Sequence, residues 1–198
     1  ADFSVARFAD ADRIAFSMIM PTRNRAWCIG AAIESALRQT HQNFELIIVD
    51  DGSDDDTAEV LRRDFGPQLD SGTIRYVRLE TASGVCTARN IGLAHARNDW
   101  VAYLDSDNQL RSNFLSVVAN AIIEHPDRDC IYGQIIFTES GRVIDRPYVR
   151  KEMIGGNYID LGVFAHRRSL VERFGGFDPS LRRLVDWDLI LRYTAHQE

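Results

Sequence analysis

The chain has 198 residues, enough for one domain with a sizeable buried core. It is 45% hydrophobic and 26% charged, the proportions of an ordinary globular protein. A net charge of −6 argues against nucleic acid as a partner, and the pairs Arg62-Arg63, Arg167-Arg168 and Arg182-Arg183 stand apart from one another as solvated surface.

Residues 1–13 are polar and rich in Ala and Asp, so a leader or linker is expected over 1–15 and one domain over 16–198. The apolar run 16–20, closed by Pro21, predicts a buried strand. Over 27–39, Ile29, Ile33, Ala36 and Leu37 fall at helical spacing. The continuous apolar run 44–49 suits a strand covered on both faces. Asp50-Asp51-Gly52-Ser53 ends it, and a helix with Ala58, Leu61 and Phe65 on one face follows. Residues 74–79 predict a third strand, 85–97 a helix and 100–104 a fourth strand, ended by Asp105-Ser106-Asp107-Asn108. Phe114, Leu115, Val118, Ala121 and Ile122 mark a helix that stops before Pro126. Residues 131–137 read as strand, paired with 142–149 through the turn at Ser140-Gly141. A last helix begins at Leu184-Val185-Asp186, with Asp186, Ile190 and Tyr193 on one face. The sequence stops inside this helical pattern, as expected of a piece of a longer protein with further domains, where acceptor recognition would lie.

Strand and helix alternate four times, which predicts an α/β fold with a parallel sheet and helices on both faces. Ligands of such sheets bind beyond the C-terminal ends of the strands. Polar clusters sit at three of those ends, Pro21-Thr22-Arg23-Asn24, Asp50-Asp51 and Asp105-Ser106-Asp107, and are expected to converge on one crevice.

Two carboxylates one residue apart, Asp105 and Asp107, can both enter a site if the chain turns there. Their hard oxygens suit Mg²⁺ or Mn²⁺, which would bridge to a diphosphate. A lone D-x-D is more often a turn with solvated aspartates, but the place of this one after a buried strand and opposite a second acidic cluster favours the ion. Asp50, Asp51, Asp54, Asp55 and Asp56 crowd like charges that need donors or a cation to answer them. Asp55 or Asp56 can cap the next helix, Asp50 can be buried in the turn, and Asp51 is assigned to ligand contact. Arg89 could offer paired donors to a diphosphate or form a surface salt bridge. Asp186 is either a helix cap or, facing the crevice, a base for an acceptor hydroxyl. Trp187 reads as core or as a wall of the acceptor pocket. Cys28, Cys86 and Cys130 are odd in number and far apart, which argues against a disulfide framework or zinc site and for a reducing compartment. Each reads as a small buried hydrophobe. No apolar run approaches the ~18 residues of a membrane span, and the N-terminus lacks a signal-peptide pattern. A cytoplasmic location is expected, with the membrane surface as a variant of it.

In chain order, Met18-Ile19-Met20-Pro21-Thr22-Arg23-Asn24-Arg25, Glu45-Leu46-Ile47-Ile48-Val49-Asp50-Asp51-Gly52-Ser53, Gly84 with Ala88-Arg89-Asn90-Ile91-Gly92, Tyr103-Leu104-Asp105-Ser106-Asp107-Asn108, Gly175-Gly176-Phe177-Asp178 and Asp186-Trp187-Asp188-Leu189-Ile190-Leu191-Arg192 resemble the family 2 glycosyltransferases of the GT-A fold. Each piece is weak alone; together, in order over nearly the whole chain, they are specific. The resemblance implies a Rossmann-like, mostly parallel sheet. It also implies that Pro21, Thr22 and Asp51 hold the nucleoside, with Asp51 facing the base. Asp105 would contact ribose or metal, with Ser106 beside it on the donor side; Asp107 would be the main metal ligand, Arg89 would lie near the nucleotide, and Asp186 would be the catalytic base. Gly155-Gly156-Asn157-Tyr158 would help to shape the acceptor and donor-sugar pocket. Arg23 stands where the family often has an aromatic residue, and its flat guanidinium can also stack on a base. Val185 replaces the acidic residue usual before the base aspartate.

The implied activity is metal-dependent transfer of a sugar, hexosyl or related, from a nucleoside-diphosphate donor, with UDP-sugars favoured. The acceptor would be a hydroxyl of a saccharide or glycan-lipid. Asp186 would take the proton in a single in-line displacement that inverts the anomeric centre, while Mn²⁺ or Mg²⁺ on Asp107 answers the charge of the departing diphosphate. One rival is a non-catalytic domain that only binds the nucleotide sugar. Another is a sugar nucleotidyltransferase, whose usual Gly-rich basic loop after the first strand is not matched by residues 22–26. A dehydrogenase would need G-x-G-x-x-G there.

Overall fold

The computed structural model describes residues 10–136 and 140–195. Most of the expected leader, Phe137 of the expected fifth strand and the last three residues of the terminal helical pattern lie outside that range.

Strand β1 (Phe16–Thr22) is buried along its whole length. It pairs in parallel with β2 (Phe44–Asp50) and with β4 (Trp100–Tyr103), and β2 pairs in parallel with β3 (Ile74–Arg78). Helices cover both faces, so these strands need no polar alternation, and their apolar runs are continuous. Pro21 is tolerated in this central strand because of where its missing N–H would point. The Ile19 carbonyl accepts from Leu104 N at 3.0 Å, toward β4. Pro21, two residues on, faces the same side but lies beyond the last paired residue, Ile19 opposite Tyr103.

Helices α1 (Ile29–Leu37), α2 (Thr57–Asp70) and α4 (Phe114–Glu124) pack on the face that carries Phe16, Met18 and Met20. Helices α3 (Val85–His95), α5 (Arg150–Gly155), α6 (Ser169–Phe174) and α7 (Val185–Tyr193) pack on the face that carries Ile19, Ile47 and Val49. The expected α/β architecture with helices on both faces is present.

The full order is β3-β2-β1-β4-β8-β5, where β8 (Phe164–Arg167) runs antiparallel to both β4 and β5 (Cys130–Tyr132). The sequence reading did not foresee β8. The run expected as one strand over 131–137 divides. Cys130–Tyr132 stays in the sheet, Gly133 N bonds to Val163 O at 2.9 Å, and β6 (Ile135–Ile136) leaves to pair with β7 (Val143–Ile144). Among the described residues, the expected pairing of 142–149 joins Ile135–Ile136 to Val143–Ile144. On β8, His166 Nδ1 lies 2.9 Å from the Arg167 carbonyl, which only accepts. Nδ1 thus carries the proton, and Nε2 accepts from the Tyr103 hydroxyl at 2.8 Å. Among the described residues no helix is long and apolar enough to cross a membrane.

Candidate active site

The parallel register places Thr22 beside Asp50 and Ile19 beside Tyr103, so the three polar clusters share one edge of the sheet. The crowded aspartates after β2 are answered mostly by backbone amides. Asp50 is fully buried, accepts from Ser53 N at 2.8 Å, and accepts from the Tyr76 hydroxyl at 2.5 Å. The Asp51 carboxylate accepts from Ser83 N at 2.6 Å and from Gly84 N at 2.9 Å, while its own N–H bonds the Thr22 carbonyl at 2.8 Å. The turn needs glycine at position 52: its φ is +67°, and a Cβ there would sit 2.9 Å from Ala82 N. Asp55, not Asp56, does the capping. It accepts from Thr57 N and Ala26 N, both at 3.0 Å, whereas Asp56 makes no side-chain cap bond.

The loop after β1 is stitched to that turn. Asn24 adopts φ +54°, donates its N–H to Ser53 Oγ at 2.9 Å, and accepts from Asp54 N at 3.0 Å. Pro21 and Thr22 are buried, and Thr22 Oγ1 has no hydrogen-bond partner among the described residues. Arg23 is exposed at the rim.

Across the same edge, Arg89 of α3 is 5% exposed and joins two aspartates. Nη1 donates to Asp186 Oδ1 at 2.6 Å and Nη2 to Asp105 Oδ1 at 3.0 Å. The sequence left two readings for Arg89, surface salt bridge and diphosphate donor, and the structure shows salt bridges whose arginine end is buried rather than at the surface. The guanidinium is buried while Asp105 and Asp186 are partly exposed, and each terminal nitrogen gives an N–H to a carboxylate. Asp186 sits in the first turn of α7, and its Oδ2 takes no hydrogen bond among the described residues. Burial pushes the Asp186 carboxyl above the usual carboxylate range; Arg89 opposes that shift, and Asp105 and Asp160 add to it. A half-buried carboxyl with one free oxygen and a raised pKa has the properties of a general base.

Asp105 and Asp107 look to different partners. Asp107 Oδ2 lies 3.7 Å from Arg25 Nε, and the Cys28 thiol reaches the Ser106 carbonyl at 3.5 Å. Side-chain exposure is 38% for Asp105 and 47% for Asp107, so both keep an oxygen toward solvent. No group of three or more His, Cys, Asp or Glu side chains able to hold a metal forms among the described residues. The two Asp51 oxygens each accept from an amide. Asp105 and Asp107 fit Mg²⁺ or Mn²⁺, which are held by one or two carboxylates and complete their shell with substrate phosphates and water.

Two supporting contacts were not foreseen. The Asn90 side chain donates to Phe177 O and accepts from Phe177 N, both at 2.8 Å, which fixes the Gly175-Gly176-Phe177 turn against α3. Arg192, paired with Asp188 at 2.7 Å, donates to the carbonyls of Phe174 and Gly176. Contact between Asn90 and Phe177, 87 residues apart, cannot be read from spacing. Trp187 Nε1 donates to Met153 O at 2.7 Å and ties α7 to α5. Tyr158 is 9% exposed, and its hydroxyl accepts from Val149 N at 2.9 Å.

A family model described as glycosyl transferase family 2 matches residues 17–177. A PGL/p-HBAD biosynthesis glycosyltransferase of Mycobacterium tuberculosis is 33% identical over 182 residues, covering 89% of this chain and 68% of that protein. Among solved structures, TarS of S. aureus has a TM-score of 0.75 at 24% identity, covering 91% of this chain and 55% of the other. The mannosyltransferase PcManGT of Pyrobaculum calidifontis, in complex with GDP-Man and Mn²⁺, has a TM-score of 0.65 at 19% identity, covering 89% and 55%. This chain therefore spans about half the length of either solved chain, and at those identities the likeness speaks for the fold. The transferase class expected from the sequence agrees with the family match and with the names of the relatives. By the extent of that match and the identity to the mycobacterial relative, the chain belongs to glycosyl transferase family 2, in its GT-A fold.

Proposed function

We propose that this chain binds a nucleoside-diphosphate sugar, with UDP-sugars favoured, and transfers the sugar with inversion to a hydroxyl of a saccharide or glycan-lipid acceptor. The observation that carries the reading is the Arg89 fork, which bonds Oδ1 of Asp186 and Oδ1 of Asp105 and so ties the two aspartates together. TarS in complex with UDP-GlcNAc and PcManGT with GDP-Man support a nucleotide-sugar donor.

In this reading the nucleoside lies along Pro21, Thr22 and Arg23, with Asp51 toward the base. Both Asp51 oxygens face amide donors, and a carboxylate offers only acceptors, so Asp51 suits a base that presents an N–H. The unpartnered Thr22 Oγ1 supplies one more polar contact at the same place. Asp105 and Asp107 would hold Mn²⁺ or Mg²⁺, which when bound contributes Lewis-acid neutralisation of diphosphate charge. Asp186 Oδ2 accepts the proton of the acceptor hydroxyl as its oxygen bonds to the anomeric carbon. The bond from that carbon to the diphosphate oxygen breaks in the same displacement, and the nucleoside diphosphate leaves with the electron pair. Attack from the face opposite the leaving group inverts the centre.

The test is a thermal-shift screen of UDP-, GDP- and dTDP-sugars with and without Mn²⁺, since a ligand that binds only the folded state raises its apparent stability. A metal-dependent shift that Asp107→Ala abolishes is expected. A shift of equal size without metal would remove the ion from the reading. Absence of any shift would remove the donor.

A further inference from the structure

Arg89 has more built around it than an ion pair requires. It is 5% exposed, its two terminal nitrogens go to carboxylates on different elements, and its guanidinium lies 5.2 Å over the Phe177 ring. Phe177 is itself held at both backbone polar groups by Asn90, the next residue of α3. Platform and arginine are thus fixed from one helix. Arg89 Nε is buried without a hydrogen-bond partner, a cost the fold carries for the sake of this placement. A lysine could not replace the arrangement, because a single ammonium lacks the planar fork that reaches two carboxylates at once.

The transferase reading assigns Asp186 as base, and on that footing we infer that Arg89 is a positioning residue. It holds Asp186 with Oδ2 turned toward the acceptor and ties that orientation to the Asp105 loop, and it does not grip the diphosphate. Each terminal nitrogen gives one N–H to an aspartate and the side chain is 5% exposed, so little of the guanidinium is open to a diphosphate.

The assignment separates binding from turnover. Arg89→Lys and Arg89→Ala are compared with wild type by calorimetric titration of UDP with Mn²⁺, by steady-state kcat and KM with the donor that gives the largest thermal shift, and by addition of guanidinium chloride at non-denaturing concentration. Both variants are expected to keep the wild-type affinity for UDP and to lose roughly 10²-fold in kcat, the cost of a misplaced reacting group. Guanidinium is expected to restore part of kcat in Arg89→Ala, whose slot is vacant, and not in Arg89→Lys. If Arg89→Ala does not fold by circular dichroism, Arg89→Lys decides on the split between UDP affinity and kcat. Weakened UDP binding with kcat intact at saturating donor would make Arg89 a diphosphate ligand and overturn the inference, with the transferase reading left standing. A folded Arg89→Ala protein that guanidinium cannot rescue overturns it as well. Wild-type protein that binds UDP but neither transfers nor hydrolyses any donor sinks both.

Discussion

Asp186→Asn is the most direct test of the chemistry. The substitution keeps the shape of the side chain, and the amide oxygen can still accept the hydrogen bond that Arg89 Nη1 now gives to Oδ1 at 2.6 Å. What it removes is the capacity to take a proton. General-base catalysis contributes ~10²–10⁴-fold, so the barrier should rise by ~3–5 kcal/mol at 1.36 kcal/mol per tenfold. The effect on the fold should be much smaller. The Asp186 side chain is 34% exposed and Arg89 keeps Asp105 as a partner, so the lost ion pair is worth about 1 kcal/mol or less. The assay is kcat at saturating donor and acceptor, alongside the melting shift given by UDP and Mn²⁺. The pH profile adds a second reading. A base works deprotonated, so kcat/KM should fall as pH drops, and burial of Asp186 should displace that acid limb upward from where an ordinary carboxylate would put it. In the Asn variant the limb should vanish along with the rate. A fall in kcat of less than about fivefold would be too small for a lost base and would refute the assignment.

Two further predictions concern the scaffold. His166 is fully buried and neutral, and burial pushes its pKa down to about 4 from 6.5. Between those values the unfolded chain binds the proton that the folded chain refuses, so stability should decline as pH falls from 6.5 toward 4, by about 3 kcal/mol at most from this group. Urea midpoints at several pH values, with His166→Gln flattening the trend while still accepting from Tyr103, would check it; an unchanged slope in the variant would place the loss elsewhere. Gly92→Ala should cost ~1–3 kcal/mol by overpacking, because a Cβ there would fall 2.5 Å from Ile19 Cγ2 in the central strand. A melting temperature equal to wild type would show that Ile19 can give way.

The parallel core was legible because its signals are local. Continuous apolar runs at 16–20, 44–49 and 100–104, separated by helical spacing, allow few arrangements once crossovers must be right-handed. The antiparallel half was not, because Phe164-Ala165-His166-Arg167 is too short for a period, and only pairing with Trp100 to Ala102 and with Cys130 to Tyr132 makes it a strand. The site divides in the same way. That Asp105 and Asp107 stand at a strand end followed from position in the sequence. That Arg89 would turn to Asp105 and Asp186 depends on contacts across 16 and 97 residues, which no spacing rule encodes. Arg25 was passed over for a similar reason: its neighbour Asp107 comes from another strand end altogether.

What separates the structural aspartates of this chain from those available for chemistry is the count of donors already spent on each. Asp50 and Asp55 are bonded through both oxygens within the turn and its neighbours, which accounts for their presence without a ligand. Asp51 is bonded through both by amides alone, so a further donor must come from outside the fold. Asp105, Asp107 and Asp186 each meet one arginine through one oxygen and keep the other. Three half-answered carboxylates near one edge of a sheet repel one another unless cations stand among them. Here two arginines do so without saturating any of the three. The remaining demand is for positive charge near Asp105 and Asp107 and for a proton near Asp186. In the proposed reaction a metal-bound diphosphate and an acceptor hydroxyl would supply those two things, so the count that explains the quiet aspartates is consistent with that proposal.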